Sequence, residues 1–552
     1  MNFMQNRICQ LSYKNIIFII ILYCLNPVVL SIFFGLESGV MWPDTIAYIT
    51  FGNELVSTGK LFLQKWGHVD SGLILPPVYP LLIRLFQALG FDGSNSSFIV
   101  SKISIILFII PLYYYIFNIT KSELISFVVV LLVQLHKLYF VIGSSPLTES
   151  TYLMMLSLGF YILCKILNEN RNIKLNSIYF GIICSLIILT RSVGIVFLFM
   201  LIFLYCLIIN NNIKIYVCKK LFILVFCVII LPYTIILYCQ TGRTIFTQHF
   251  RIGEYSIFSG SVNLNDSDTA SYDELYAKRR QGRLLLDDGS EMLSHVIKLN
   301  NDFNYKNVEN YAVEFVSNFI NNLMANVKFF ISGNGIFFNC VFVILVARFF
   351  YLRKYIYDYH QFGLLLFVFM NILIISIFTG LVKRYVEFLF VFAIIFIFIE
   401  LFSYVPNITK QITNSLVCLL IATILFISGN YSIIDLKFRK NFSEKINNPF
   451  LMCKSFINYS DYMFTALPYN SYRIGGRFRV LPNDSIEKIS HYAKLTGVNF
   501  LLVSKLTHDL EEYRHYHNAN WITHLDSLDT AFPELLELSC ESNNNVYLYR
   551  FR

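Results

Sequence analysis

The chain has 552 residues, of which 56% are hydrophobic and only 14% charged, whereas soluble domains run nearer a quarter charged. That balance excludes a water-soluble globular fold, a disordered chain and a disulfide-rich secreted scaffold, and leaves a polytopic helical membrane protein. The net charge of +9 is no nucleic-acid footprint, because no Lys/Arg stripe stands on a folded basic face; basic cytoplasmic turns give membrane proteins such an excess.

In chain order, an apolar run over about 16–34 follows Arg7 and Lys14. It resembles a signal peptide but lacks a small-residue cleavage site, so it reads as an uncleaved anchor. The next segment, 35–97, carries Trp42-Pro43-Asp44-Thr45-Ile46-Ala47-Tyr48, an amphipathic stretch from Tyr48 to Val56, and Leu75-Pro76-Pro77-Val78-Tyr79-Pro80-Leu81-Leu82. The last is apolar but too broken by proline to span. Two helices lying along the membrane interface are expected here. Asp44 is read either as a cap of the helix starting at Thr45 or as a functional carboxylate at the membrane surface.

Apolar runs near the roughly 20 residues that cross a bilayer then recur. They fall at about 98–117, 122–142, 147–167, 176–190, 192–209, 221–239, 327–350, 362–381, 385–403 and 412–428. With the first run this makes about 11 spans, although 176–209 also reads as one kinked span. Two polar blocks, 240–326 and 431–552, interrupt this body. The expected architecture is therefore all-α and polytopic over residues 1–430, with outer loops at 35–97 and 240–326, followed by a small extracytoplasmic α/β domain over 431–552.

Orientation follows from basic residues in short loops. Arg7 and Lys14, Lys121, Arg171 and Lys174, Lys214, Lys219 and Lys220, Arg353 and Lys354, and Lys410 fall on alternating turns, which are assigned to the cytoplasm. Arg191, Lys383 and Arg384 break the pattern at the outer ends of spans. In the tail, Asp461 to Thr465, Val498 to Val503 and Val546 to Tyr549 read as strands. Gly475-Gly476 reads as a turn, and Ser485 to Leu495 as a helix capped by Ser485. The 12 cysteines are scattered without CxxC or His-rich spacing. They read as small core residues, with no structural metal.

Several ordered motifs resemble those of the GT-C-type, lipid-phosphate-sugar-dependent glycosyltransferases, the protein O-mannosyltransferase and aminoarabinose-transferase relatives. These are Asp44 and Tyr48 with Pro76-Pro77-Val78-Tyr79-Pro80; Gly143-Ser144-Ser145-Pro146-Leu147-Thr148-Glu149-Ser150; Leu189-Thr190-Arg191-Ser192-Val193-Gly194; Lys383-Arg384-Tyr385; and, in the tail, Gly475-Gly476-Arg477 with Leu481-Pro482. Each motif alone is weak; their order and topology together are more specific. One departure stands out. Many relatives carry an acidic pair in the first loop, whereas Asp44 is followed by Thr45.

The resemblance implies an enzyme moving a sugar from a polyprenyl-phosphate carrier to an acceptor hydroxyl at the outer membrane face, with inversion. The acceptor is a glycan, a lipid or a protein. It implies Asp44 as general base, Glu149 as a second catalytic acid, Arg191, Lys383 and Arg384 as donor-phosphate ligands, and Tyr48, Tyr79 and Tyr385 lining the substrate cavity. The residue chemistry agrees. An attacking hydroxyl needs a base within hydrogen-bond reach, and a leaving phosphate needs fixed cations. No cofactor is implied, the need for a divalent metal stays open, and the expected location is a bacterial inner membrane. His68 and Asp70 read as solvated loop residues, and the helical stretch with Glu274 and Lys278 as a solvated face. Two alternatives stand beside this reading: an O-antigen-type polymerase or ligase, and a lipid or sugar transporter without chemistry. A transporter is expected to keep ionisable residues at mid-membrane, whereas here they cluster at outer span ends.

Overall fold

The computed structural model describes residues 13–33, 43–62, 74–168, 172–200, 213–241, 359–378, 388–403 and most of 450–552, with short pieces within 286–291 and 316–346. Its helices, in chain order, are α1 (Tyr13–Cys24), α2 (Pro27–Phe33), α3 (Pro43–Thr58), α4 (Val78–Ala88), α5 (Gly93–Leu107), α6 (Ile109–Thr120), α7 (Glu123–Leu135), α8 (Lys137–Ser144), α9 (Thr148–Asn168), α10 (Ile173–Thr190), α11 (Ile213–Thr241), α12 (Tyr359–Phe378) and α13 (Phe390–Ser403). The chain divides into two compact units. The first holds α1, α2 and α4 to α13; the second holds α3 and the tail.

In the first unit several of the expected apolar runs become helices. Among the described residues four helices are long and apolar enough to cross a membrane, or up to six if each bent pair counts as one span. The full set of about 11 expected spans is therefore not reproduced; 412–428 and most of 327–350 lie outside the described residues. The first expected span is bent by 53° between α1 and α2, where Asn26-Pro27 interrupts the helix because proline supplies no N–H. Asn26 repairs the break. Its Oδ1 accepts the N–H groups of Val28 at 2.8 Å and Val29 at 3.3 Å, and its Nδ2 donates to the Tyr139 hydroxyl at 2.8 Å. The run at 176–209 is broken at Arg191, which is extended; a 3-10 turn over Ser192–Gly194 follows, and helix resumes over 195–200.

Polar side chains tie helices together where apolar surface gives little drive for association. The Tyr113 hydroxyl donates to Asn15 Oδ1 at 2.7 Å, and Asn326 Nδ2 donates to Ser376 Oγ at 3.0 Å. The centre is aromatic: Phe160 on α9 meets Phe197, Phe392 and Phe367 at ring separations of 5.1, 5.3 and 5.5 Å. The outside is apolar as well. Leu224, Val228, Leu231 and Ile235 of α11, and Leu81, Leu85 and Leu89 along and just after α4, form exposed stripes at helical spacing. Stripes of that size in water mark interaction or aggregation surfaces; against lipid they are the expected solvent-facing side.

The second unit contains a short hairpin, β1 (Leu286–Asp287) and β2 (Ser290–Glu291), and the tail elements β3 (Tyr462–Thr465), α14 (Pro468–Ile474), β4 (Arg477–Val480), α15 (Ile486–Thr496), β5 (Val498–Ser504), α16 (Leu528–Ala531), β6 (Leu536–Ser542) and β7 (Val546–Phe551). The five-stranded sheet has the order β4-β3-β5-β7-β6. The β4–β3 and β3–β5 pairs are parallel, joined through helices; β5–β7 and β7–β6 are antiparallel. This is the expected α/β domain, with β3, α15, β5 and β7 where the residue patterns indicated. Gly475, at φ +88°, supplies the left-handed turn before β4. Helix α3 packs against α14 within this unit.

One expectation is corrected. Cys453 and Cys540, taken as small core residues, form a disulfide across 87 positions with Cα atoms 5.6 Å apart. It pins the segment entering the domain to the edge strand β6. Two cysteines so far apart in sequence carry no spacing signal, which is why the pairing was not legible.

Candidate active site

The Gly143–Ser150 segment folds as a tight connection between α8 and α9. Ser145 is extended and Pro146 follows it, as the restriction on a residue before proline requires. Leu147 N–H closes a turn on the Ser145 carbonyl at 2.8 Å. The whole connection is buried: Ser144, Ser145, Thr148, Glu149, Ser150 and Thr151 all lie in the interior.

Burying so many polar groups demands partners, and α5 supplies them. Ser97, Ser101 and Ser104 sit four and three residues apart, on one helix face. The Ser101 hydroxyl donates to the Leu147 carbonyl at 3.2 Å, Ser104 meets the Thr151 hydroxyl at 2.9 Å, and Ser150 donates to the Ile142 carbonyl at 2.7 Å. Tyr79 completes the anchor. Its side chain is fully buried; its hydroxyl donates to the Ser97 carbonyl at 3.2 Å and lies 3.0 Å from Ser101 Oγ. Expected to line a substrate cavity, Tyr79 is thus found inside the scaffold that fixes the acidic loop.

The loop delivers Glu149 to the first turn of α9, and the end of α10 delivers Arg191 to it. Arg191 Nη1 lies 3.2 Å from Glu149 Oε1, with the two side chains only 8% and 7% exposed. Both charges occupy the helix end whose dipole favours them, the acid at an N-terminus and the cation at a C-terminus. The Thr148 hydroxyl donates to Glu149 Oε2 at 3.5 Å, and the Arg191 guanidinium lies 5.9 Å from the centroid of the Tyr152 ring. Gly194 lets the chain turn this closely. A Cβ there would sit 2.6 Å from Ile187 Cγ2 and 2.9 Å from the Ile187 carbonyl oxygen.

Around the pair the walls are aromatic. Phe388 meets the Tyr152 ring edge-on at 5.4 Å, and Phe390 stacks on His136 at 4.3 Å. His136 Nδ1 accepts the Leu138 N–H at 3.2 Å and so caps α8. Tyr152 was not singled out from the sequence. Its signal was there, three residues after Glu149 and hence on the same helix face.

The other expected site residues fall elsewhere. Asp44 and Tyr48 lie on α3 in the second unit, both half-buried. Asp44 stands inside the first turn of α3, behind Pro43 at the helix start, rather than as the residue capping it. Lys383, Arg384 and Tyr385 lie outside the described residues, as do His68, Asp70, Glu274 and Lys278. Among the described residues no three or more His, Cys, Asp or Glu side chains gather as a metal-holding group.

Three comparisons bear on this geometry. The profile of the dolichyl-phosphate-mannose-protein mannosyltransferase family matches residues 81–251, a stretch that includes Glu149, Tyr152 and Arg191. No curated protein matches the chain in sequence. Among solved structures, the archaeal oligosaccharyltransferase AglB from Archaeoglobus fulgidus, in complex with an inhibitory peptide and a dolichol-phosphate, superposes with a TM-score of 0.56 at 10% identity, over 92% of this chain and 71% of that one. ArnT from Cupriavidus metallidurans, bound to undecaprenyl phosphate, gives 0.53 at 8% identity over 97% of both chains. The A. fulgidus enzyme tethered to an acceptor peptide containing the NVT sequon gives 0.55 at 11% identity, over 89% and 69%. At such identities the likeness establishes a shared fold.

Proposed function

We propose that this chain, an integral membrane protein with the fold of the GT-C glycosyltransferases, transfers a sugar from a polyprenyl-phosphate carrier to an acceptor hydroxyl. The observation that carries the reading is the buried Glu149–Arg191 pair, held by an anchored loop in a fold shared with enzymes solved on dolichol-phosphate and undecaprenyl phosphate. A buried ion pair is weak as a device for stability alone, since well-packed apolar residues do as well or better. A pair kept at two helix ends, with a five-donor guanidinium at its edge, suits recognition of a phosphate.

In this reading Arg191 binds the donor phosphate, aided by Lys383 and Arg384. What supports including the latter two is that Phe388, four residues after Arg384, packs on Tyr152. Glu149 acts on Arg191: it fixes the guanidinium and keeps the buried charge balanced when no donor is bound. The acceptor oxygen attacks the anomeric carbon, the bond from that carbon to the phosphate oxygen breaks, and the configuration inverts. The lipid phosphate leaves as an anion, and the acceptor proton passes to the Asp44 carboxylate. Tyr48 and Tyr385 are read as lining the sugar cavity.

The site is read as extracytoplasmic, in a bacterial inner membrane. The Cys453–Cys540 disulfide supports an outer location for the tail, because such bonds persist in oxidising compartments. The test is a transfer assay with purified protein and a panel of polyprenyl-phosphate hexoses and pentoses. Wild type is expected to turn over at least one donor, and Asp44→Asn to lose roughly 10²-fold, the lower range for a general base, with its melting temperature unchanged. Near-normal turnover by Asp44→Asn removes the base assignment.

A further inference from the structure

Among the described residues several buried polar atoms have no hydrogen-bond partner, and Gln134 has both ends of its amide in that state. Gln134, in the last turn of α7, is 1% exposed, and neither its Oε1 nor its Nε2 has a hydrogen-bond partner among the described residues. The buried amides Asn15, Asn26 and Asn326 of the same unit each have one. A buried amide with both ends unmatched forfeits more than a typical hydrogen bond returns, so a group of this kind marks a place where something else binds. The Tyr152 hydroxyl is in the same state, fully buried and unmatched among the described residues.

Tyr152 sits in the candidate site, and Gln134 lies on the helix whose end packs on the same neighbouring segment. Two residues after Gln134, the His136 ring stacks on Phe390 at 4.3 Å; two residues before Phe390, Phe388 meets Tyr152 at 5.4 Å, and the Arg191 guanidinium stands 5.9 Å from that same ring. One short segment, 388–390, therefore packs on both the His136 ring at the end of α7 and the Tyr152 ring at the start of α9, and Gln134 stands in the last turn of that same α7. A planar amide offers an acceptor and two donors, the complement of two neighbouring hydroxyls on a sugar ring. A phenol offers one of each.

We infer that Gln134 and Tyr152 bind hydroxyls of the transferred sugar and set which sugar the site accepts. The inference rests on the transferase reading above and adds to it the residues that discriminate between donors. A site built to hydrogen-bond a substrate hydroxyl rejects analogues that lack it, because its own buried polar groups are then left unpaired.

The experiment compares wild type, Gln134→Leu and Tyr152→Phe on undecaprenyl-phosphate-linked mannose, glucose and aminoarabinose, and on deoxy derivatives of whichever donor turns over. Gln134→Leu is expected to lower kcat/KM about 30-fold on the full sugar, from the loss of two ordinary hydrogen bonds. It is expected to lose nothing further on the deoxy donor missing the hydroxyl it binds. Its melting temperature should stay level or rise, since an unmatched polar group has left an apolar surround. Tyr152→Phe should show the same pattern with a different deoxy donor. Gln134→Glu, which keeps the shape and removes the donors, serves if Gln134→Leu does not fold, and should alter the ranking of the deoxy series. Turnover by the Gln134 and Tyr152 variants within twofold of wild type on every donor overturns the inference. So does an equal loss on all donors accompanied by a lowered melting temperature, which is the mark of a structural role. In both cases wild-type turnover leaves the transferase reading standing; a wild type inactive on every donor ends both.

Discussion

Removing either partner of the Glu149–Arg191 pair isolates the central claim about the site. The two side chains are 8% and 7% exposed and 3.2 Å apart, so solvent screening, which reduces exposed pairs to a fraction of a kcal/mol, does not apply. Glu149→Gln leaves a buried guanidinium without its counter-charge, and Arg191→Met leaves a buried carboxylate; each is expected to destabilise by about 3–5 kcal/mol. The double variant Glu149→Gln/Arg191→Met buries no net charge and should cost no more than either single change, giving a coupling energy of at least about 3 kcal/mol, the top of the range for contacting residues. Thermal unfolding of the four purified proteins in detergent measures the cycle, and a transfer assay on the same samples measures function. The double variant should be folded and inactive, because recovered stability brings back no ligand for the donor phosphate. Additivity within about 0.5 kcal/mol would mean that the two charges do not interact, and a stable double variant with wild-type turnover would mean that the pair has no part in chemistry.

Two predictions concern the tail. Alkylation of the denatured chain should label Cys453 and Cys540 only after reduction. Replacing Cys453 by Ser should destabilise the domain by about 4–5 kcal/mol, the chain-entropy value for a loop of this length; labelling without reductant would place the tail in a reducing compartment. The Lys505 ammonium donates to the Asp526 carboxylate, and that bond holds Asp526 below its usual value of 3.8 and Lys505 above 10.5. The stabilisation from Asp526 is therefore present above about pH 4 and fades as pH falls through its lowered folded value, while that from Lys505 is lost only as pH rises through its raised one. Asp526→Asn should flatten the acid limb of the domain's melting profile below about pH 4. Since the pair is exposed, the difference should shrink with added salt; an unchanged acid limb would refute the assignment.

Much of the architecture was legible because hydrophobic periodicity reports what a segment buries. The runs at 147–167 and 221–239 became α9 and α11, and Val498 to Val503 became the central strand β5. The tail's remaining strands were harder. Arg477–Val480 and Leu536–Ser542 are edge strands of the sheet. An edge strand is half-solvated and carries charge, so its residues do not alternate cleanly. Basic residues at span ends were conspicuous because they break the positive-inside pattern, and Arg191 was found that way, whereas Glu149 entered through the resemblance of its Gly143–Ser150 motif. Their roles were less legible than their positions, since a role depends on what the side chain meets.

The sequence alone determined that the chain belongs in a bilayer, because a composition so poor in charge leaves its long helices nowhere else to put their apolar faces. It also determined where two acidic loops and the out-of-place cations lie along the chain. Only the tertiary structure decided that Glu149 and Arg191 neutralise one another, that Tyr79 is a buried strut, that Cys453 reaches Cys540, and that Gln134 is buried with no hydrogen-bond partner among the described residues. Each of these depends on which residues far apart in the chain come within a few ångströms, and neither periodicity nor charge pattern carries that information; the packing of one helix on the next does.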